Sequence, residues 1–88
     1  MHPKEAFELI CGALRQRSDK RLVNADYYDH MFGNFTIDIE DESRPRSIVN
    51  DRFELVVCEA FGGEGQTRTI FANLRLADEH AVMRSLDL

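Results

Sequence analysis

The stretch 53-FELVVCEAFGGEGQTRTIF-71 decides the fold of this chain. Two runs rich in β-branched and aromatic residues flank a glycine-rich turn, an arrangement typical of a β-hairpin. Residues 55–58 are apolar at every position, so both faces of that strand need cover, as in a strand inside a sheet. The sequence therefore predicts an inner strand over 48–61, a turn at 62–66 and a returning strand over 67–74.

Outward from the hairpin, the pattern predicts one more strand and two helices. Apolar and polar residues alternate over 35–40, which is typical of a half-buried strand. Apolar residues recur with helical spacing over 3–17 and over 79–86, and Asp78 is a suitable N-cap for the second helix. We therefore predict an α+β domain, with a three-stranded antiparallel meander and both helices packed on one face.

The segment 22–34 is harder to assign from its sequence. A short helix over 25–32, ended by Gly33, fits the pattern, and so does an irregular aromatic segment that lies over the core. The assignment matters because helices on one face leave the other face of the sheet open. Either this segment or a second copy of the chain is expected to cover it.

Length and charge restrict the class of protein. Eighty-eight residues with 43% hydrophobic and 31% charged side chains are expected to form a single small domain, 1–88. The net charge is −5, and residues 22–60 carry nine acids against three arginines. This charge disfavours a sequence-independent grip on nucleic acid and suits a basic partner.

The sequence also predicts the compartment. No stretch approaches the ~20 apolar residues of a membrane span, and the first residues lack the apolar core of a signal peptide. We therefore expect no membrane contact and a cytoplasmic protein, with Cys11 and Cys58 as reduced thiols.

No motif in the sequence predicts a cofactor or a metal ion. The glycine-rich turn lacks the lysine of a phosphate-binding loop and leads into a strand rather than a helix. The acidic run 38–42 lacks the spacing of a calcium loop, and there is no pair of cysteines spaced for zinc. We interpret the acidic run as a solvated strand face that also protects a sheet edge.

The best candidates for acid–base chemistry are Asp26, Asp29 and His30. If 25–32 were helical, Asp26 and His30 would lie one turn apart on the same side. Histidine titrates near neutral pH, so such a pair has the chemistry for proton transfer. A small-molecule binder or an enzyme using these residues is therefore an alternative function.

The best candidates for partner binding are Tyr27, Tyr28, Met31 and Phe32, because aromatic residues and methionine are enriched at interfaces. Together with the missing catalytic signature, they favour a non-enzymatic interaction or accessory protein. The doubly apolar strand favours a homodimer. A further alternative is an acidic mimic that binds a basic partner through residues 38–42.

Overall fold

A five-stranded antiparallel sheet organises the chain, and the computed structural model describes all of residues 1–88. The strands are β1 (Lys20–Tyr28), β2 (Asn34–Asp41), β3 (Arg44–Asp51), β4 (Glu54–Cys58) and β5 (Thr67–Phe71). They lie side by side in sequence order, so the sheet is an open meander. The predicted α+β class and antiparallel meander are confirmed, whereas the predicted number of strands, three, is wrong.

The predicted strand over 48–61 is in fact two strands joined by a tight turn. Arg52 and Phe53 occupy the turn with φ of 50° and 71°, and Asp51 pairs with Glu54 across it. Glu42 and Ser43 join β2 to β3 in the same way, with φ of 53° and 68°. Turns of this kind usually carry Asn-Gly or Asp-Gly, so neither turn could be recognised from its residues.

The segment 22–34 forms neither the helix nor the irregular lid. Its first part belongs to β1, which pairs with β2 from Lys20 opposite Asp41 to Tyr28 opposite Asn34. A bulge between Leu22 and Asn24 shifts the register and breaks the two-residue alternation that would have revealed the strand. Residues 29–33 then form the β1–β2 turn.

The two helices pack on one side of the sheet, as predicted. They are α1 (Pro3–Arg15) and α2 (Glu79–Ser85), each slightly shorter at its C-terminal end than expected. Pro3 opens α1, and the Asp78 side chain caps α2 by accepting from the backbone N–H of Ala81 at 2.8 Å. The core lies between the helices and the sheet and contains Ala6, Ile10, Cys11, Leu14, Phe35, Ile37, Ile39, Ile48, Leu55, Val57, Leu74 and Val82.

The predicted pairing of β4 with β5 is confirmed, from Leu55 opposite Phe71 to Cys58 opposite Thr67. The connection is an eight-residue excursion, here called the glycine loop (59–66), which includes a 3-10 turn at Phe61–Gly63. This loop folds over the sheet face opposite the helices, here called the second face. Beneath it, Cys58 is only 1% exposed.

Two side chains of the second face fasten the glycine loop. The Ser47 hydroxyl donates to the Ala60 carbonyl at 2.9 Å and accepts from the Gly63 N–H at 3.0 Å. The Asp38 carboxylate accepts from the Gly62 N–H at 2.9 Å. The loop therefore provides the cover that was predicted to come from residues 22–34 or from a second copy of the chain.

The residues that lead into β1 are tied to the C-terminal residues by hydrogen bonds and an ion pair. Arg17 donates to both carboxylate oxygens of Asp19, at 2.8 and 2.7 Å, and to the carbonyl of Asp87 at 2.9 Å. Lys20 adds an ion pair to Asp19 at 3.2 Å. The hydrogen bonds from Arg17, and to a smaller extent the one from Lys20, hold the pKa of the Asp19 carboxyl well below its usual range. The basic residues after α1, Arg17 and Lys20, therefore stabilise the folded chain through contacts within it.

Candidate functional site: a groove beside the β1–β2 turn

Large apolar side chains are exposed chiefly around the β1–β2 turn. Tyr28, Met31 and Phe32 are 46%, 57% and 66% exposed, and all three were predicted to bind a partner. The other exposed large apolar residues are Val23, Phe61 and Leu76. A cluster of three exposed apolar side chains within five residues marks this end of the sheet as a candidate contact surface.

Tyr28 and Met31 line a concave depression on the second face, here called the sheet groove. Its volume is about 390 Å³. Thr36 and Val49 lie opposite each other on β2 and β3 and also line it. The glycine loop contributes Gly62 and Gly63 to the lining. The groove therefore depends on two hairpins and the loop, which together place four large apolar residues and four polar residues around a single hollow.

The other two predicted residues lie on the opposite side of the turn. Tyr27 is half-buried, and its ring centroid lies 5.4 Å from that of Phe7 in α1. Phe32 lines a second hollow of about 460 Å³ together with Tyr27, Phe53 and Arg75. Tyr27 and Tyr28 are separated because successive residues of a strand point to opposite faces, whereas Met31 and Phe32 lie in the turn that follows.

The predicted acid–base residues are not brought together as a helix would have placed them. Asp26 lies on the second face of β1 and accepts a hydrogen bond from the Asn24 amide at 2.9 Å. Asp29 and His30 are exposed in the β1–β2 turn, and Asp29 lines the second hollow. His30 lines neither hollow, and its side chain makes no hydrogen bond or ion pair.

The acidic run 38–42 is largely engaged within the chain. Glu40 forms an ion pair with Arg21 on the neighbouring strand, and Asp41 forms one with Arg46 at 3.0 Å. Asp38 holds the glycine loop as described above. The run therefore has a structural role, and no three His, Cys, Asp or Glu side chains of the chain are grouped as metal ligands would be.

Charge is nevertheless segregated on the second face. Strand register places five carboxylates there, and Arg21 is the arginine that shares this face with them. The five are Asp26, Asp38, Glu40, Asp51 and Glu54. Because Arg21 pairs with Glu40, the surroundings of the sheet groove remain acidic.

Among the residues that line the groove, only Tyr28 and Met31 were predicted from the sequence as binding residues. Val49 and Asp51 were placed in a long inner strand, and Gly62 and Gly63 were interpreted as a plain turn. Gly62 and Gly63 have positive φ, 71° and 77°, as expected for glycines in a turn. Their position against Val49 depends on long-range packing that no local pattern encodes.

Comparisons of this chain with family models, curated proteins and solved structures returned no match. None of its helices combines the length and apolar character needed to cross a membrane.

Proposed function

We propose that this protein is a non-catalytic accessory protein that binds a different protein through the sheet groove. The observation that carries the proposal is the placement of Tyr28 and Met31, two large and exposed apolar side chains, in one concave site. Tyrosine is enriched among the residues that contribute most of the binding energy at protein interfaces, and methionine is enriched at interfaces generally. The proposed contact is an apolar side chain of the partner inserted into the groove.

Charge around the groove indicates what kind of protein would fit. The second face carries more carboxylates than cations, and the whole chain has a net charge of −5. A partner with basic residues around its apolar contact would be attracted, and a second copy would bring two acidic faces together. A different, basic protein is therefore favoured over the homodimer predicted from the sequence.

The homodimer also loses one of its reasons, because the glycine loop already buries Cys58 within one chain. The acid–base alternative has less support than the groove, since His30 lies apart from both hollows. The acidic-mimic alternative shares the basic partner with our proposal but relied on residues 38–42, which bind other groups of the same chain.

The double variant Tyr28→Ser/Met31→Ser is expected to lose the partner while keeping the fold. Both side chains are exposed, so the free energy of unfolding should change by less than about 1 kcal/mol. Loss of two interface anchors should weaken binding by about a hundredfold, at roughly 1.4 kcal/mol per tenfold. The measurement is capture from native lysate with immobilised wild type and variant, followed by titration of the purified captured protein.

Leu76→Ser is the matched control, because Leu76 is 85% exposed and lies outside the groove. The captured protein should bind wild type and Leu76→Ser equally and should bind the double variant about a hundredfold more weakly. Light scattering after size exclusion, at micromolar concentration, tests self-association in the same samples. A stable dimer that the double variant breaks would replace the proposed partner with a second copy. Equal capture by all three proteins would contradict any role of the groove.

A further inference from the structure

We infer that the partner's docking segment places an arginine or lysine between Asp51 and Glu54, at the mouth of the sheet groove. This inference rests on the proposed function and specifies the chemistry of the partner at the same site. Asp51 itself lines the groove, so a cation held there would lie next to the apolar side chain that enters it.

Asp51 and Glu54 face each other directly across β3 and β4. They are the last pair before the Arg52-Phe53 turn, and both are exposed. Opposed residues in such a pair have Cβ atoms about 4.5–5.5 Å apart, and like charges at that separation destabilise a sheet. The pair therefore costs the isolated fold free energy that a neutral pair would not.

Other strand carboxylates have a partner within the chain, which is an arginine for Glu40 and Asp41 and a neutral N–H donor for Asp26 and Asp38. Glu40 lies opposite Arg21 and forms an ion pair with it. Arg46 pairs with both Asp41 and Glu59, each at 3.0 Å. Neither Asp51 nor Glu54 forms an ion pair with any residue of the chain, and they are the one place in the sheet where two carboxylates lie directly opposite each other.

Glu54 is also oriented. The Thr69 hydroxyl on β5 donates to its carboxylate at 3.1 Å, which fixes one oxygen and leaves the other available. Two adjacent carboxylates suit the planar fork of an arginine, which donates several N–H groups at once, and they also suit the ammonium of lysine. The nearby Asp26 would add longer-range attraction and speed the encounter.

The test uses three amidated nine-residue peptides and the isotopically labelled protein. The first peptide alternates lysine with leucine, the second replaces its lysines with glutamate, and the third replaces its leucines with serine. Backbone amide resonances are followed by NMR during titration at low salt. The first peptide should shift the resonances of Met31, Asp51 and Gly63, and it should bind at least about tenfold more tightly than either of the others.

The variant Asp51→Asn/Glu54→Gln should weaken binding of the lysine–leucine peptide by about five- to tenfold. Its thermal midpoint should stay the same or rise, because the mutual repulsion is removed. Glu8→Gln/Glu79→Gln is the matched control, since it removes the same charge from exposed helical positions. That control should bind the peptide like wild type.

The outcomes separate this inference from the proposed function. Suppose that the glutamate–leucine peptide binds as tightly as the lysine–leucine peptide and that both bind Tyr28→Ser/Met31→Ser more weakly. Binding through the sheet groove is then supported, and the proposed cation site at Asp51 and Glu54 is contradicted. Equal weakening by the two charge variants also overturns the cation site. Binding of the lysine–leucine peptide that is insensitive to Tyr28→Ser/Met31→Ser overturns the proposed function and this inference with it.

Discussion

Replacing Gly33 with alanine is expected to lower the free energy of unfolding by about 2 to 4 kcal/mol. Gly33 ends the β1–β2 turn with a φ of 68°, where any other residue is strained. A Cβ built there would lie 2.8 Å from the Tyr27 hydroxyl oxygen and 2.9 Å from the Pro3 Cβ. Neither neighbour moves freely, because Tyr27 packs on Phe7 and Pro3 begins α1.

A shift of the Gly33 backbone would also disturb a buried amide. The Gly33 carbonyl accepts a hydrogen bond from the Asn50 side chain at 3.0 Å, and Asn50 is 1% exposed. The side-chain oxygen of Asn50 already lacks a partner, so loss of the bond to Gly33 would leave the whole side-chain amide unpaired in the core. A buried polar group without a partner costs about 1–3 kcal/mol.

Gly12→Ala is the control for Gly33→Ala. Gly12 lies within α1, and a Cβ there would meet nothing within 4 Å. Alanine favours a helix over glycine by about 1 kcal/mol, so Gly12→Ala should be more stable than wild type. Urea denaturation followed by circular dichroism measures both. Equal and small effects of the two substitutions would contradict the packing described at Gly33.

The second large effect is expected from Ser47→Ala, which should make the Cys58 thiol react about five- to a hundredfold faster with a thiol reagent. Ser47 holds the glycine loop by bonds to Ala60 and Gly63, and its own side chain is fully buried. Removing such bonds lowers the free energy of opening by about 1–3 kcal/mol, and 1.4 kcal/mol corresponds to tenfold in the open population. The Cys58 rate follows that population because the loop covers it.

Cys11 serves as an internal standard in this experiment. It is a free thiol that is 2% exposed, but it lies in α1 within the main core, away from the glycine loop. Mass spectrometry of labelled peptides distinguishes the two sites, and Ser85→Ala provides a serine control on the exposed end of α2. Faster labelling of Cys58 alone would support a local opening. An equal rise at both cysteines would mean that Ser47 supports the whole fold and would contradict the local role.

The sequence predicted those parts of the fold in which local pattern and packing agree. The α1 stripe, the Asp78 cap and the pairing of β4 with β5 were all foreseeable, because each is encoded by adjacent residues. The number of strands was not, because Glu42-Ser43 and Arg52-Phe53 form tight turns without glycine or asparagine. Strand β1 was also missed, because its bulge interrupts the alternation of apolar and polar residues by which a strand is recognised.

The candidate site was predictable only in part. Tyr28 and Met31 could be selected from composition alone, since exposed aromatic residues and methionine mark interfaces. The opposition of Asp51 and Glu54 could not be foreseen, because it depends on the unpredicted turn between them. The wall formed by Gly62 and Gly63 depends on bonds to Asp38 and Ser47, which lie 24 and 16 residues away along the chain.

The glycine loop has two roles, because it covers Cys58 and also contributes Gly62 and Gly63 to the lining of the sheet groove. Any molecule that binds the groove only when the loop is closed must therefore make loop opening less favourable, by thermodynamic linkage. The reactivity of a thiol that never touches the partner would then report how much of the groove is occupied. The rate at which Cys58 reacts with a thiol reagent would therefore measure binding without any prior modification of either protein.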